Sequence, residues 1–230
     1  QTMVSQLDLP SPMAFVIVQH VSADSRSMLV ALLSRHSPLP VQAAQHNQQL
    51  QGGHISVCPP GFHITIKPDD ILDLSPVELH VSHLPKPSVD LFFRSLAEVK
   101  GPRAIGIVLS GTGSDGTSGL GLIKDVDGFT IAQDPDTAKY DGMPVSAINS
   151  GHVDLILSPE EIGAELKSIL LVPDQPIEQF RSGPSQQTYD RILRMLKREH
   201  GVDFTQYKEK TISRRLMRRM LANKVETIWD

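Results

Sequence analysis

Short apolar runs alternate, over the first 170 residues, with stretches in which apolar positions recur every three or four residues. The runs at 14–19, 103–109, 129–132 and 153–157 have the length and composition of buried strands. Helical spacing is clearest over 88–100, where Val89, Phe92, Phe93, Leu96 and Val99 form one apolar side. A helix over 24–36 is capped by Asp24 and places Leu29, Leu32 and Leu33 inward. Further helices end near Val126 and run near 145–149. After Leu157, Ser158 as cap, Pro159 at the first position and Glu161 form a capping box that starts another. Met3, Val4 and Leu7 also keep helical spacing until Pro10-Ser11-Pro12 breaks it, so the chain reads as opening inside a helix. Between 54 and 74, three short β-like runs (55–58, 63–66 and 71–74) are separated by Pro-Pro-Gly and Pro-Asp-Asp turns and read as a small antiparallel excursion. The alternation predicts an α/β fold: a doubly wound, mainly parallel sheet with that excursion, followed by a small all-α helical segment.

The helical segment is set off by composition. Residues 172–184 hold Pro173, Pro176, Gly183 and Pro184 and read as a linker between a domain at 1–171 and a helical unit at 185–230. In that unit Tyr189, Ile192, Leu193 and Leu196 make one amphipathic helix. Ile212, Leu216, Met220 and Leu221 make a second, flanked by Arg214, Arg215, Arg218 and Arg219. Charge divides the same way. The whole chain is at −4, yet 185–230 holds 11 basic against 6 acidic residues, so the basic unit should seek an acidic surface. A single cysteine, Cys58, excludes an intrachain disulfide and favours a reducing, cytoplasmic setting; after a β-like run and before Pro59-Pro60, it reads as buried and inert. No apolar run approaches the roughly 18 residues that span a bilayer, and no signal-peptide pattern is visible.

Candidate chemistry collects where strands end. The run 105–109 empties into Ser110-Gly111-Thr112-Gly113-Ser114-Asp115-Gly116, a glycine-rich loop at the C-terminal end of a strand, where parallel sheets gather ligands and catalytic groups. The first strand delivers His20 to an equivalent tip. A histidine and an aspartate at one edge are two members of a hydrolase triad. Singly, each also has a plain structural reading: His20 closing a strand with a backbone hydrogen bond, Asp115 as turn former or helix cap. Ser114 sits in a near miss to the G-x-S-x-G elbow, but neighbouring side chains in a turn diverge, which makes it an awkward partner for Asp115. His80 and His83 fall on opposite faces of a strand, and His54 and His63 are isolated, so no metal site is expected. The loop lacks the lysine and spacing of a nucleotide-binding P-loop. Only Tyr207 and Trp229 lie near the arginines, which gives little basis for nucleic-acid stacking.

Several motifs occur in a specific order: Val18-Gln19-His20, Pro59-Pro60-Gly61, Pro87-Ser88-Val89-Asp90, the strand and loop 105–116, Ile131-Ala132-Gln133-Asp134 and Gly142-Met143-Pro144. Together they resemble the catalytic domain of the chemotaxis protein-glutamate methylesterases, the CheB family, from residue 1 to about 170. The tail, with Gly201-Val202-Asp203-Phe204 and the arginine-rich 213–220, resembles the N-terminal helical domain of the CheR methyltransferases. Both in one chain resemble CheB–CheR fusions. The resemblance implies His20 as general base, Asp115 as its orienting acid, and a nucleophilic serine in a glycine-rich turn ahead of Gln1, so the sequence as it stands is expected to be impaired. It implies an oxyanion contribution from the backbone of Gly111, Thr112 and Gly113, with threonine where the family often has methionine, and it places Met143 near the active edge. Substrates implied are methylated glutamates, and possible glutamines, on the cytoplasmic helices of chemoreceptors, with the basic helix at Arg214, Arg215, Arg218 and Arg219 facing those acidic helices. Neither a cofactor, a metal, nucleic acid nor membrane insertion is implied. The competing expectation is a receptor-binding regulatory module that uses the basic helix without catalysis.

Overall fold

The computed structural model describes residues 2–7, 11–19, 28–77, 88–170 and, within 190–198, all but 192 and 196. Contacts divide the chain into two compact units, Gln1–Ala164 and Glu165–Asp230. In the first, β1 (Phe15–Ile17) pairs in parallel with β3 (Ile55–Val57), which pairs in parallel on its other side with β2 (Val41–Ala43). A second parallel set has β6 (Ile105–Val108) beside β7 (Phe129–Gln133) and β7 beside β8 (Leu155–Leu157). The antiparallel part is a single hairpin, β4 (Phe62–Lys67) with β5 (Ile71–Pro76), in which Phe62 faces Pro76 and Lys67 faces Ile71. The mainly parallel architecture flanked by helices is the one the alternation predicts.

Several details differ from the sequence reading. The run at 55–58 belongs to the parallel set, not to the antiparallel excursion. Ile55, Ser56 and Val57 are all buried, and such a strand needs cover on both faces, which an isolated hairpin with one solvent face does not provide. Strand β2 has no apolar signature to find: Val41 is half-buried while Gln42 and Ala43 are exposed. The helix expected at 24–36 is described as α2 over Leu29–Ser34. Its Leu33 is buried but Leu32 is 38% exposed, so the inner stripe is narrower than expected; Asp24 lies outside the described residues.

The central helix α3 (Ser88–Lys100) forms as its spacing requires. Val89, Phe92, Phe93 and Ala97 are buried on one side. It packs against the hairpin and against α4 (Thr117–Asp125), and these layers share one core in which Ile64, Leu72, Phe93, Val108, Leu120, Ile123 and Ala132 are enclosed. Contact between α3 and α4 is close because Gly119 has no side chain. A Cβ there would lie 2.5 Å from Phe93 Cβ and 3.2 Å from Asp90 Cα. Helix α5 (Gly142–Asn149) starts three residues before the expected 145, and α6 (Pro159–Leu170) opens with the capping box in place. There the Ser158 N–H donates to Glu161 Oε2 at 2.8 Å and the Glu161 N–H to Ser158 Oγ at 3.3 Å. At the N-terminal edge of the second strand set, Asp154 pairs with Lys124 and accepts from the buried Thr130 N–H and Oγ1. In the second unit the described residues of 190–198 are helical, with Leu193 buried.

Two measurements check this packing. Gly119→Ala should gain helix propensity yet lower stability by about 1–3 kcal/mol, because the methyl group forces α3 from α4; a rise in the urea midpoint would contradict the close approach. Burial raises the Cys58 thiol to about 11, so at pH 8 only about a thousandth is thiolate. Native protein should therefore resist a thiol reagent that labels the urea-unfolded chain at once.

Candidate active site

Strand β6 ends at Val108, and the chain turns through Ser110 into the glycine-rich loop. A polar clamp fixes the start of that loop. The Ser110 N–H donates to Gln133 Oε1 at 2.9 Å, and Gln133, only 5% exposed at the tip of β7, donates through Nε2 to Thr137 Oγ1 at 3.1 Å. From the other side, the Tyr140 N–H donates to Ser110 Oγ at 3.0 Å and the Gly111 N–H donates to Tyr140 O at 2.9 Å. The Met143 N–H then donates to Gly111 O at 2.8 Å. The Met143 side chain lies against Gly111 so closely that a Cβ on that residue would stand 2.3 Å from the sulfur. Thr137, Tyr140 and Met143, which follow β7, thus brace the loop that follows β6.

The next three residues point outward. Thr112, Gly113 and Ser114 are exposed, Gly113 has φ 87, and the N–H groups of all three have no acceptor among the described residues. Consecutive amides around a left-handed residue form a concavity of partial positive charge that suits an oxygen anion. The Gly111 amide is already committed to Tyr140, so the donors left for such an anion are those of Thr112, Gly113 and Ser114.

Asp115 closes the loop. Its half-buried carboxylate accepts from two successive amides at the start of α3, Val89 N–H to Oδ2 and Asp90 N–H to Oδ1, both at 2.9 Å. These bonds lie at the positive end of a helix, and they fix the side chain. The same turn of α3 is tied to the hairpin, where Ser88 Oγ and His63 Nδ1 share a buried hydrogen bond of 2.9 Å. Asp90, in turn, accepts from the Gly119 N–H of α4 at 2.7 Å. Its carboxyl is raised above the usual range, first by burial, against which the Gly119 amide acts, and further by the facing charge of Asp115.

Of the residues singled out in the sequence, the structure joins Gly111, Thr112, Gly113, Asp115 and Met143 in one edge. His20 lies outside the described residues; it follows β1 by three positions, and Val16 and Val18 of that segment pack on the core that contains Val108. Arg214, Arg215, Arg218 and Arg219 also lie outside the described residues, as do His80 and His83. Ser114 has an exposed side chain with no hydrogen bond among the described residues. Among the described residues no cluster of three or more metal-ligating side chains occurs, and no helix is long and apolar enough to cross a membrane. Sequence reasoning named Asp90, Gln133, His63 and Ser88 but missed the bonds that Asp90 and Gln133 make and the pairing of His63 with Ser88. Each did carry a signal, a polar residue inside an otherwise apolar or buried stretch, but the partner that satisfies it is distant in sequence.

Comparison with known proteins agrees with this geometry. The family model described as CheB methylesterase matches residues 1–166, and that described as the CheR methyltransferase all-alpha domain matches 187–230. A 104.1 kDa protein of Rhodobacter capsulatus is 34% identical over 215 residues, 84% of this chain and 22% of its own length. A putative protein-glutamate methylesterase/protein-glutamine glutaminase of Leptospira interrogans is 35% identical over 72% of this chain and 82% of its own. Protein-glutamate methylesterase/protein-glutamine glutaminase 1 of Carboxydothermus hydrogenoformans is 37% identical over 71% of this chain, which spans 49% of that protein. The crystal structure of the Thermotoga maritima CheB methylesterase catalytic domain superposes with a TM-score of 0.67 at 28% identity, covering 73% of this chain and 90% of that one. With its strand-end loop, its helix-held aspartate and these matches, the chain belongs to the CheB methylesterase family and continues into a CheR-type all-alpha domain.

Proposed function

We propose that this chain carries the base, the orienting acid and the oxyanion donors of a protein-glutamate methylesterase that also acts as a protein-glutamine glutaminase on chemoreceptors. The observation that carries the reading is the Asp115 carboxylate, held by two helix amides beside the Thr112 and Gly113 amides, which have no acceptor among the described residues. The names of the Leptospira and Carboxydothermus relatives support the activity.

The chemistry is acyl transfer. A serine hydroxyl attacks the ester carbonyl while His20 takes its proton. Charge that develops on the carbonyl oxygen is met by the amides of Thr112 and Gly113, with Met143 and Gly111 as the packed wall behind them. His20 then returns the proton to the departing oxygen, so methanol leaves and an acyl-serine remains. Water, deprotonated by the same imidazole, hydrolyses that ester and regenerates the serine and a glutamate. With an amide substrate the sequence is the same and ammonia leaves. Asp115 keeps the imidazole in the tautomer whose free nitrogen faces the serine, and it stabilises the imidazolium in both halves. Asp115 can serve in this way because its two amide bonds fix its side chain at the start of α3.

In the CheR-like part, the basic helix with Arg214, Arg215, Arg218 and Arg219 would lie against acidic receptor helices and keep the esterified side chains near the edge. Here charge complementarity is the support.

In the full-length protein, His20→Ala and Asp115→Asn should each lower turnover of methylated receptor by a thousandfold or more, on the order of what triad members contribute. Methanol release from receptor fragments measures this; undiminished turnover without His20 would remove the base from the scheme. Reversing the four arginines should raise KM for receptor while leaving turnover of a small methyl ester unchanged. A KM that does not respond would remove the docking role.

A further inference from the structure

We infer that Asp90 is a positioning residue for ester hydrolysis: it caps the helix that Asp115 precedes, and so keeps the Asp115 carboxylate turned towards α3. The inference rests on the orienting role given to Asp115 above.

An aspartate one or two residues ahead of a helix ordinarily caps that helix, its side chain accepting the first-turn amides. Asp115 stands in that place before α4 and does otherwise. Both its oxygens are taken by amides of α3, from Val89 and Asp90. The amides of α4 that it would have satisfied go to Asp90 instead. Gly119 N–H donates to Asp90 Oδ1 at 2.7 Å, and the Gly116 and Ser118 amides act on the same carboxylate in the same sense. The two carboxylates have exchanged helices, each capping the one the other belongs to or precedes.

This exchange closes a ring of bonds. From the Asp90 backbone N–H it passes to Asp115 Oδ1, along the chain through Gly116 to Gly119, and back through the Gly119 N–H to the Asp90 side chain. The soft point of the ring is Gly116, with φ 94. Glycine leaves the left-handed region at little cost, and a helical Gly116 would let Asp115 turn back onto its own helix. Two features prevent that: contact of Gly116 with Val89 and Val108, where a Cβ would fall 2.9 and 3.1 Å from their methyl groups, and the occupation of the α4 amides by Asp90. The facing charges of Asp90 and Asp115 repel, a cost that persists in a fold only where the amides on both sides compensate. Nor is Asp90 needed to start α3, whose first amides already have Asp115.

The test compares Asp90→Ala, Asp90→Asn and Asp115→Asn. Kinetics on methylated receptor are read in the full-length protein, and backbone amide resonances in the chain itself. Without an acceptor at position 90, Asp115 should turn to the free amides of α4. Asp90→Ala should then lower kcat about a hundredfold, the scale of a misplaced catalytic group, with KM unchanged within twofold, and the amide protons of Val89 and Asp90 should move upfield. Asn keeps a carbonyl acceptor, so Asp90→Asn should stay within about threefold of the parent with those resonances in place. An Asp90→Ala enzyme with parental kcat and unmoved Val89 and Asp90 resonances would overturn the inference. So would an Asp90→Asn enzyme that loses activity while those resonances stay put, and this variant decides the matter if Asp90→Ala does not fold. If Asp115→Asn itself leaves kcat intact, the orienting role proposed for Asp115 fails, which is a separate result from the failure of Asp90.

Discussion

The bonds from the Val89 and Asp90 amides to the two oxygens of Asp115 are the constraint on which the active edge depends. They join elements far apart in sequence, the loop after β6 and the first turn of α3, and they place a charged acceptor at the positive end of a helix. A carboxylate so held is confined to one orientation. Asp115 and Ser110 are both fixed, and the intervening Thr112, Gly113 and Ser114 are exposed, their amides without an acceptor among the described residues.

The support behind that edge is unusually polar for a protein interior. Gln133 is buried at the tip of β7 with both ends of its amide satisfied, and the His63–Ser88 pair joins the hairpin to the helix that holds Asp115. Buried polar groups of this kind cost desolvation unless fully bonded, and when fully bonded they restrict the chain to one arrangement. The hairpin β4–β5, which interrupts the strand–helix alternation, thereby takes on a purpose: its His63 fixes Ser88, and Ser88 begins the helix whose next two amides hold the acid. The opposite, N-terminal edge has its own network around Asp154, Thr130 and Lys124.

Much of this was legible in the sequence, and for physical reasons. Helix α3 was readable to its terminal residues because Val89, Phe92, Phe93, Leu96 and Val99 carry an unbroken helical period, and α6 because its capping box is a local, two-residue interaction. The loop 110–116 announced itself because glycines and an aspartate after an apolar run have few other uses. Strand β2 was invisible, since its three residues are held by pairing with β3 and not by an apolar pattern of their own. Strand β3 was misassigned because a run of three buried residues does not reveal whether its neighbours are parallel. For Asp115 the sequence left helix cap and catalytic acid as competing readings, whereas the structure shows the cap, and on a different helix from the one expected. Capping α3 holds the carboxylate still, so the two roles need not exclude each other. Asp90 stood in a motif without a role because its bond to Gly119 spans a distance that no periodicity reports.

The central claim is that the carboxylate so anchored holds the imidazole of His20. It is tested most directly by proton NMR of the chain with its histidines labelled with ¹⁵N. The account predicts a strongly downfield, slowly exchanging ring N–H resonance assigned to His20, which disappears or moves far upfield in Asp115→Asn while the other histidine resonances stay in place. A His20 ring proton that exchanges freely with water in the parent chain, or one unaffected by Asp115→Asn, would contradict it.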